Sequence, residues 1–434
     1  MGSDQPNSEK QSTLTFLVRA FRYRNYRLFF GGQGISLVGT WMQQIAMGWL
    51  VYRLTNSAFL LGFIGFAGQI PTFILTSAAG VFADRWDRRK LLILTQTLAM
   101  FQAFLLAFLT LTGHIAVWHL MVLSFFLGLV NALDIPVRQS FVIDLVEDKN
   151  DLGNAIALNS VMFNGARLVG PSIAGLLISI VGEGICFFLN GVSFLAIVIA
   201  LLAMNVPERM RESEPLSFFR GLKDGFQYTF GFAPTRYIIL LLGLISLMGM
   251  PYLVLMPIFA KDILHGGPHT LGFLMGASGI GAVVGAIHLA SKKNVLGLGR
   301  LIVISSSAFG IGLIVFSLSR YIQLSLCMMS LTGFGMIVHM AASQTILQTI
   351  VDEDKRGRIM SFHAMAFTGM APFGSLLAGS LAHNIGAPNT LIISGIACVI
   401  GSLLFLTKLP LIRKLVRPIY VQMGIIRQMP TELQ

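Results

Sequence analysis

Long apolar runs separated by short polar breaks dominate the pattern of hydrophobic positions along this 434-residue chain. A bilayer core of about 30 Å needs about 20 apolar residues per helix, and the chain offers twelve windows of that size. The pattern therefore predicts an all-α integral membrane protein with twelve transmembrane helices. The predicted spans are residues 28–50, 58–82, 91–112, 117–141, 155–180, 184–204, 237–260, 270–290, 301–319, 322–348, 359–382 and 389–408.

The positive charges occupy alternate breaks between these spans. Cytoplasmic loops carry an excess of Lys and Arg, and a cytoplasmic amino terminus puts most of the 31 basic residues on that side. Arg53, Lys261 and Arg320 then face outward, and Arg167 lies inside a span. We therefore expect a multi-pass protein with both termini in the cytoplasm.

The two halves of the chain carry a weak internal repeat. The tripeptide Leu-Gly-Phe at 61–63 recurs at 271–273, and Gly175 recurs as Gly379. Such repeats are typical of transporters, which place the substrate path between the halves and rock one half against the other. The fold prediction is therefore two six-helix pseudo-repeats.

The longest polar interruption separates six spans from six. We expect a bundle of residues 1–204, a cytoplasmic linker of residues 205–236, and a second bundle with a cytoplasmic tail over residues 237–434. An amphipathic helix on the inner membrane surface is predicted within the linker. A loop helix packed on the bundle and a lipid-sensing helix remain equal alternatives. Its apolar positions are Phe219, Leu222, Phe226 and Phe230.

Composition excludes several classes of protein. The chain is 55% hydrophobic and only 12% charged, which is too apolar for a soluble protein. Its net charge of +12 is spread over many loops, so nucleic-acid binding is not expected. Three cysteines without metal-like spacing, no phosphate-binding loop and no catalytic constellation predict neither an enzyme nor a cofactor. Transport energy should therefore come from an ion gradient.

The break between spans two and three carries a dense charge motif. Residues 80–89 read Gly-x-x-x-Asp-Arg-x-Asp-Arg-Arg, which resembles the loop 2-3 signature of the major facilitator superfamily, with Asp87 where glycine is usual. The six-plus-six layout extends this resemblance over essentially the whole chain. Residues 154–171, from Asn154-Ala155 through Ala166-Arg167 to Gly-Pro, are similar to the drug-proton antiporter branch, which includes bacterial enterobactin exporters and macrolide efflux pumps. The resemblance implies a transporter of the bacterial inner membrane.

The resemblance also implies a gate. It assigns an acid such as Asp84 to a latch between the halves in the outward-facing state, while Gly80 permits close helix approach. Asp144 is the candidate counter-charge for the arginines of the motif, and a plain positive-inside anchor is the alternative. Gly170-Pro171 resembles the antiporter motif that accompanies export, although such glycine faces also serve packing alone. The predicted gating residues are Gly80, Asp84, Arg85, Arg88, Arg89, Asp144, Gly170 and Pro171.

Ionisable residues inside spans are functional candidates because they are costly in lipid. Asp134 lies four residues before Arg138 on one face of span four, and Arg167 lies near the middle of span five. We predict that Asp134 carries the coupling proton, with Arg138 and Arg167 modulating its charge. Static pairing of Asp134 with either arginine is the competing explanation.

Polar and soft side chains within the spans are candidates for substrate contact. Amides that face a central cavity would bind polar groups of the substrate, and a region around Pro251 would supply adaptable apolar contacts. Ordinary packing is the alternative for most of these side chains, because the sequence does not say which helix face is inward. The predicted substrate-binding residues are Gln44, Gln69, Asn131, Asn164, Tyr252 and His339.

The functional hypothesis is export of a small amphipathic or chelating molecule, such as a drug or siderophore, by proton antiport. The expected partners are this small molecule, protons and the lipid bilayer, and the chain should act as a monomer without nucleic acid. Translocation of a lipid or lysolipid is the first alternative. A transporter-like membrane sensor that moves nothing is the second.

Overall fold

A computed structural model describes residues 19–206, 226–292 and 294–426, without the side chains of residues 77–85, Lys149 and Asp354. Twelve helical rods, here α1 to α12, make up the described chain, as the hydropathy pattern predicts. Eleven of them are long and apolar enough to cross a membrane, and the 32-residue α1 is the twelfth. They are α1 Arg24–Thr55, α2 Ala58–Arg85, α3 Arg88–Leu111, α4 Val117–Asp144, α5 Leu152–Val181, α6 Glu183–Ala203, α7 Ala233–Ile263, α8 Pro268–Ala290, α9 Leu298–Leu318, α10 Ile322–Ile350, α11 in two pieces (Glu353–Thr368 and Ala371–Ile385) and α12 Ala387–Gln422.

Three rods differ from regular spans. Two π-helical turns, Ile245–Gly249 and Phe259–Ile263, interrupt α7 beside prolines that remove backbone donors. The break in α11 precedes Pro372. Helix α12 continues to Gln422, beyond the predicted end at residue 408, because the end of an apolar run marks the edge of the bilayer and does not end a helix.

Helix packing joins the two halves through two pairs of rods. In the first half α1 packs on α5 and α6, α2 on α4, and α3 on α6, whereas in the second half α8 and α9 pack on α10, and α9 on α12. Between the halves, α5 packs along α8 and α2 packs along α11. These two contacts flank the interface along which a substrate path is predicted.

Glycines bring these paired rods together at one face of the bundle. A Cβ built on Gly62 of α2 would lie 2.7 Å from Gly379 Cα of α11, and one built on Gly175 of α5 would lie 2.7 Å from Gly272 Cα of α8. Only residues without side chains allow backbones to approach so closely. These glycines belong to the segments that repeat in the sequence, so equivalent positions of the two halves make equivalent crossings.

We call the face where α1 ends and α2 begins the distal face, and the face where α1 begins and α12 ends the terminal face. Polar contacts also join the halves at the distal face. The Tyr52 hydroxyl hydrogen-bonds the Asp262 carboxylate, and Lys261 Nζ donates to Asn56 Oδ1 at 2.7 Å. With the glycine crossings, these contacts close the distal face.

The predicted linker helix is described only in its second part. Phe219 and Leu222 lie outside the described residues, whereas residues 226–231 are helical. The Phe226 ring packs at a tilt against Phe230 with centroids 4.5 Å apart, and its centroid lies 6.4 Å from that of the Phe362 ring of α11. This contact agrees with the alternative in which the helix packs on the bundle. The division at residues 204 and 237 stays a prediction.

Candidate functional site

The charged motif between α2 and α3 organises the ends of three helices at the terminal face. Asp87 caps α3, because its carboxylate accepts from Lys90 N at 3.0 Å. This role explains an acid where the family signature usually has glycine. The side chains of Gly80, Asp84 and Arg85 lie outside the described part of the chain, so the latch stays a prediction.

The two arginines that follow have different partners. Arg88 Nη1 lies 2.7 Å from Asp144 Oδ2 at the end of α4, which confirms the predicted contact, and both side chains are largely buried. The prediction was wrong for Arg89, which donates instead to the carbonyls of Leu201 and Leu202 at 2.7 and 2.9 Å. The last carbonyls of a helix lack partners within the helix, so Arg89 caps the end of α6.

The glycine-rich stretch of α5 makes two close crossings. A Cβ on Gly170 would lie 2.8 Å from Val38 O of α1, so this position requires glycine. At the next residue, the Pro171 carbonyl faces Gly272 of α8, beside the crossing already described. Gly165 differs, because a Cβ there would meet nothing within 4 Å. Gly170 and Pro171 therefore position α5 between a helix of its own half and a helix of the other half.

Asp134 lies buried between α4 and α3. Its Oδ1 accepts hydrogen bonds from Thr95 Oγ1 at 2.8 Å and Gln96 Nε2 at 2.6 Å, while Arg138 Nε lies 3.3 Å from Oδ2. The predicted pair with Arg138 is therefore present, within the first half. Sequence reasoning missed Thr95 and Gln96, although an amide in the apolar run of α3 was an available signal. The arrangement gives the charged carboxylate three donors.

Arg167 does not join this cluster. Its Cζ lies 5.7 Å from the centre of the Trp41 ring on α1, and its Nη2 lies 3.6 Å from Met336 Sδ on α10. The guanidinium thus lies between the two halves, whereas Asp134 lies inside the first half. The structure therefore places Arg167 apart from the pair of Asp134 and Arg138, because helical periodicity gives the faces of one helix but not the neighbour of each face. The coupling role of the three residues stays a prediction.

Two of the predicted amides face the opposite half. Gln44 is exposed and lies on the α1 face that holds Trp41 and Gly48, where a Cβ on Gly48 would be 3.6 Å from Pro257 of α7. Gln69 of α2 donates to its own helix at Gly65 O. A Cβ on Gly65 would approach side chains of α7 and α11, so this α2 face also points to the second half.

The remaining two predicted amides, Asn131 and Asn164, are half-buried on helices of the first half. Asn131 is half-buried on α4, one turn after Gly128, whose carbonyl accepts from Thr72 of α2. Asn164 is half-buried on α5 and donates to Ser160 O of its own helix at 2.9 Å. Both side chains lie within their spans, as the sequence predicts.

The two predicted substrate contacts in the second half are enclosed. Tyr252 has no exposed surface, and its hydroxyl lies 3.0 Å from Ser278 Oγ of α8. His339 is 1% exposed, and neither ring nitrogen has a hydrogen-bond partner. His363 lies beside it, hydrogen-bonded to the Met340 backbone. In this conformation neither predicted residue reaches the interface between the halves, because each is packed among helices of its own half.

The neighbouring glutamines Gln43 and Gln44 have opposite roles. Gln43 Nε2 donates to Gln102 Oε1 at 3.0 Å, and Asn190 Nδ2 donates to Gln43 Oε1 at 2.8 Å. This buried network joins α1, α3 and α6, so Gln43 holds the first half together. Gln44 points out of that half.

Sequence reasoning also missed a cluster at the terminal face. Asp151, which is 2% exposed, lies directly before α5. Its Oδ2 lies 2.8 Å from Arg22 Nη2 and accepts from the Tyr23 hydroxyl at 3.0 Å. The acid at a helix start was an available signal. The cluster fastens the segment before α1 to the start of α5.

The described residues include no group of three or more His, Cys, Asp or Glu side chains placed to hold a metal ion. A buried carboxylate, a separate buried guanidinium and polar positions facing the interface are the chemistry that this bundle offers. Binding and movement of a small molecule between the halves use such groups.

Comparison with known proteins agrees with this arrangement. The family described as "Transmembrane secretion effector" matches residues 18–416. The Staphyloferrin A transporter of Staphylococcus aureus (strain NCTC 8325 / PS 47) is 25% identical over 87% of this chain and 95% of its own length. The enterobactin exporter EntS of Shigella boydii serotype 4 (strain Sb227) is 25% identical over 91% and 93%.

A solved structure shows the same fold. A bacterial homologue of the iron transporter ferroportin, in its inward-facing state, superposes with a TM-score of 0.67 at 16% identity, covering 92% of this chain and 99% of the other. The predicted resemblance is thereby confirmed, and the family consists of transporters rather than enzymes. The chain belongs to the transmembrane secretion effector family of the major facilitator superfamily.

Proposed function

We propose that this protein exports a small amphipathic or chelating molecule, drug-like or siderophore-like, across the bacterial inner membrane by alternating access coupled to proton antiport. The observation that carries the proposal is the closed distal face, where paired glycines and the contact between Tyr52 and Asp262 join the two halves. Alternating access requires these distal contacts to break when one half rocks against the other.

The proposed orientation puts the terminal face in the cytoplasm. Arg88 and Arg89 lie there with Arg22 and the basic end of α12, as the positive-inside rule requires. A closed distal face then corresponds to an inward-facing protein, ready to take cargo from the cytoplasm. Residues 1–204 and 237–434 act as the two rocking bodies of a monomer.

Asp134 is the proposed proton carrier. Protonation would remove its ion pair with Arg138 and change the hydrogen bonds to Thr95 and Gln96, so the charge of one carboxylate affects the packing of α3 on α4. A static ion pair is the competing role. Transport measurements on Asp134→Asn distinguish the two.

The cargo path is proposed to run along the interface between the halves, past Gln44, Gln69, Asn131 and Asn164. Two relatives are named for a siderophore transporter and a siderophore exporter, which supports a chelating or amphipathic cargo and outward transport. Tyr252 and His339 are left out of the proposed path because both are enclosed in this conformation.

Inverted membrane vesicles test the proposed function. The chain is expressed, a pH gradient is imposed, and candidate drugs and chelators are added while a fluorescent dye reports the gradient. Dissipation that depends on cargo and is lost in Asp134→Asn supports proton antiport. No dissipation with any cargo contradicts it, and lipid movement in a liposome flip assay would then favour the lipid translocator. Ligand binding without either movement would favour the sensor.

A further inference from the structure

Arg167 is a buried cation without an ion-pair partner among the side chains that the structure describes. Only 8% of its surface is accessible, and it lies near the middle of the 30-residue helix α5. Three other arginines within or next to the spans of the first half pair with carboxylates: Arg53 with Glu183, Arg88 with Asp144, and Arg138 with Asp134. An unpaired charge at this depth is unfavourable, so an occupant that supplies negative charge would be bound strongly.

The neighbours of the guanidinium are an aromatic ring and a thioether, and neither carries a charge. The Trp41 ring lies under it at 5.7 Å, and Met336 Sδ accepts weakly from one nitrogen at 3.6 Å. Arginine carries five N–H donors in a planar fork, and a π face with one thioether cannot use them all. The fork therefore keeps donors for a planar anionic group such as a carboxylate.

Arg167 lies on the proposed cargo path between the halves. Trp41 belongs to the first half and Met336 to the second, so the guanidinium lies where the two halves meet. The neighbouring α5 turn has room, because a Cβ on Gly165 would meet nothing within 4 Å. Phe163, half-exposed on that turn, packs edge-on against Trp41 with ring centroids 5.8 Å apart. A guanidinium beside aromatic rings can bind an anionic group while the rings pack against a flat apolar part of the same molecule.

We propose that Arg167 and Trp41 form the anion-binding subsite of the transport path, and that the cargo carries a carboxylate or another planar anionic oxygen group beside an aromatic or apolar body. This inference rests on the proposed export function. Asp134 is not part of the subsite, because its carboxylate is already occupied by Arg138, Thr95 and Gln96. Anion recognition and proton coupling are thus separated in space.

The test measures equilibrium binding to the purified full chain in lipid nanodiscs, with radiolabelled 2-naphthoate as the anionic probe and its uncharged methyl ester as the matched probe. Wild type should bind the anion at least about tenfold more tightly than the ester. Arg167→Gln should lose that preference, and Arg167→Lys, which keeps the charge but not the fork, should retain part of it. Arg413→Gln, which removes an exposed charge near the end of α12, should bind like wild type.

Trp41 provides a second reading. Quenching of tryptophan fluorescence by the bound anion should weaken in Trp41→Phe, while the chain keeps its other three tryptophans. Three results would overturn the inference: equal affinity of the wild type for acid and ester, no binding of the acid, or an unchanged preference for the acid in Arg167→Gln. The comparison of acid with ester uses the wild-type protein, so it does not depend on the folding of a variant. A different result would contradict the proposed function alone. In that case the purified chain would prefer the anion in a way that depends on Arg167, but no cargo would dissipate the pH gradient in vesicles.

Discussion

Gly62 and Gly379 meet where α2 crosses α11 at the distal face, and a Cβ built on Gly62 would lie 2.7 Å from Gly379 Cα. The same distance separates a Cβ on Gly175 from Gly272 Cα where α5 crosses α8. Because the four glycines lie in the segments that repeat between the halves, the distal closure is two-fold symmetric in outline. Both crossings must separate if the protein opens toward the distal side.

Gly62→Ala should therefore shift the population toward the distal-open state, since the added methyl group clashes with the Gly379 backbone only in the closed state. The measurement is labelling by a membrane-impermeant maleimide at a single cysteine introduced at Ala58, which is buried beside Gly379 in the closed state, in a background without the three native cysteines. We expect faster labelling than in the parent.

Gly31→Ala is the matched control, because a Cβ on Gly31 of α1 would meet nothing within 4 Å. It should label at the parental rate. Equal labelling of Gly62→Ala and the parent would show that the glycine crossing does not limit opening.

The contact between Arg88 and Asp144 should stabilise the terminal ends of α3 and α4. Its side chains are 15% and 18% exposed, and the 2.7 Å contact is short. Asp144→Asn should lower the free energy of unfolding by about 1.5–3 kcal/mol, the range for a hydrogen bond to a charged group. Unfolding in mixed micelles, followed by circular dichroism, measures the change.

A surface pair provides the comparison. Glu353 is 91% exposed and lies 3.9 Å from Arg356, so Glu353→Gln should change stability by less than about 1 kcal/mol. If both variants behave alike, the Arg88 contact is only an anchor of positive charge at the membrane surface.

Much of this architecture could be predicted from hydropathy because a bilayer requires uninterrupted apolar runs, so the number of spans and most of their ends follow directly. The π turns of α7 and the break in α11 depend on local backbone contacts that hydropathy does not report. Asp144 could be predicted as the partner of Arg88 because both lie at neighbouring helix ends on one face of the membrane.

The partners of buried polar side chains could not be predicted in the same way. Arg167 and Asp134 are both charged residues inside predicted spans, but their helices turn these side chains toward different neighbours. Helical periodicity gives a face and leaves open what covers it. The same ambiguity affected the adjacent glutamines of α1.

Substitutions of Gln43 and Gln44 should have different effects, one on protein stability and the other on cargo binding. Gln43→Leu leaves the buried Gln102 Oε1 without its donor and the buried Asn190 Nδ2 without its acceptor, so we expect a loss of about 1–3 kcal/mol in unfolding free energy. Gln44→Leu removes only an exposed amide that faces the opposite half, so it should leave the melting temperature unchanged and alter the affinity for transported cargo. Thermal unfolding and cargo binding on both variants check the pair, and a reversed pattern would move the path to another face of α1.

Asp134→Asn should abolish the dependence of transport on the pH gradient while leaving cargo binding in place. The amide retains the shape of the carboxylate but cannot carry the proton or pair with Arg138, whereas Arg167 lies apart and remains charged. Counterflow of cargo without a gradient should continue, and accumulation driven by the gradient should stop. Measuring both in one set of proteoliposomes distinguishes a coupling role from a structural one, because a purely structural ion pair would lower both rates together. Unchanged accumulation in a folded variant would instead transfer the coupling role to another group, and the His339 and His363 pair, with unpartnered buried nitrogens, would be the next to substitute.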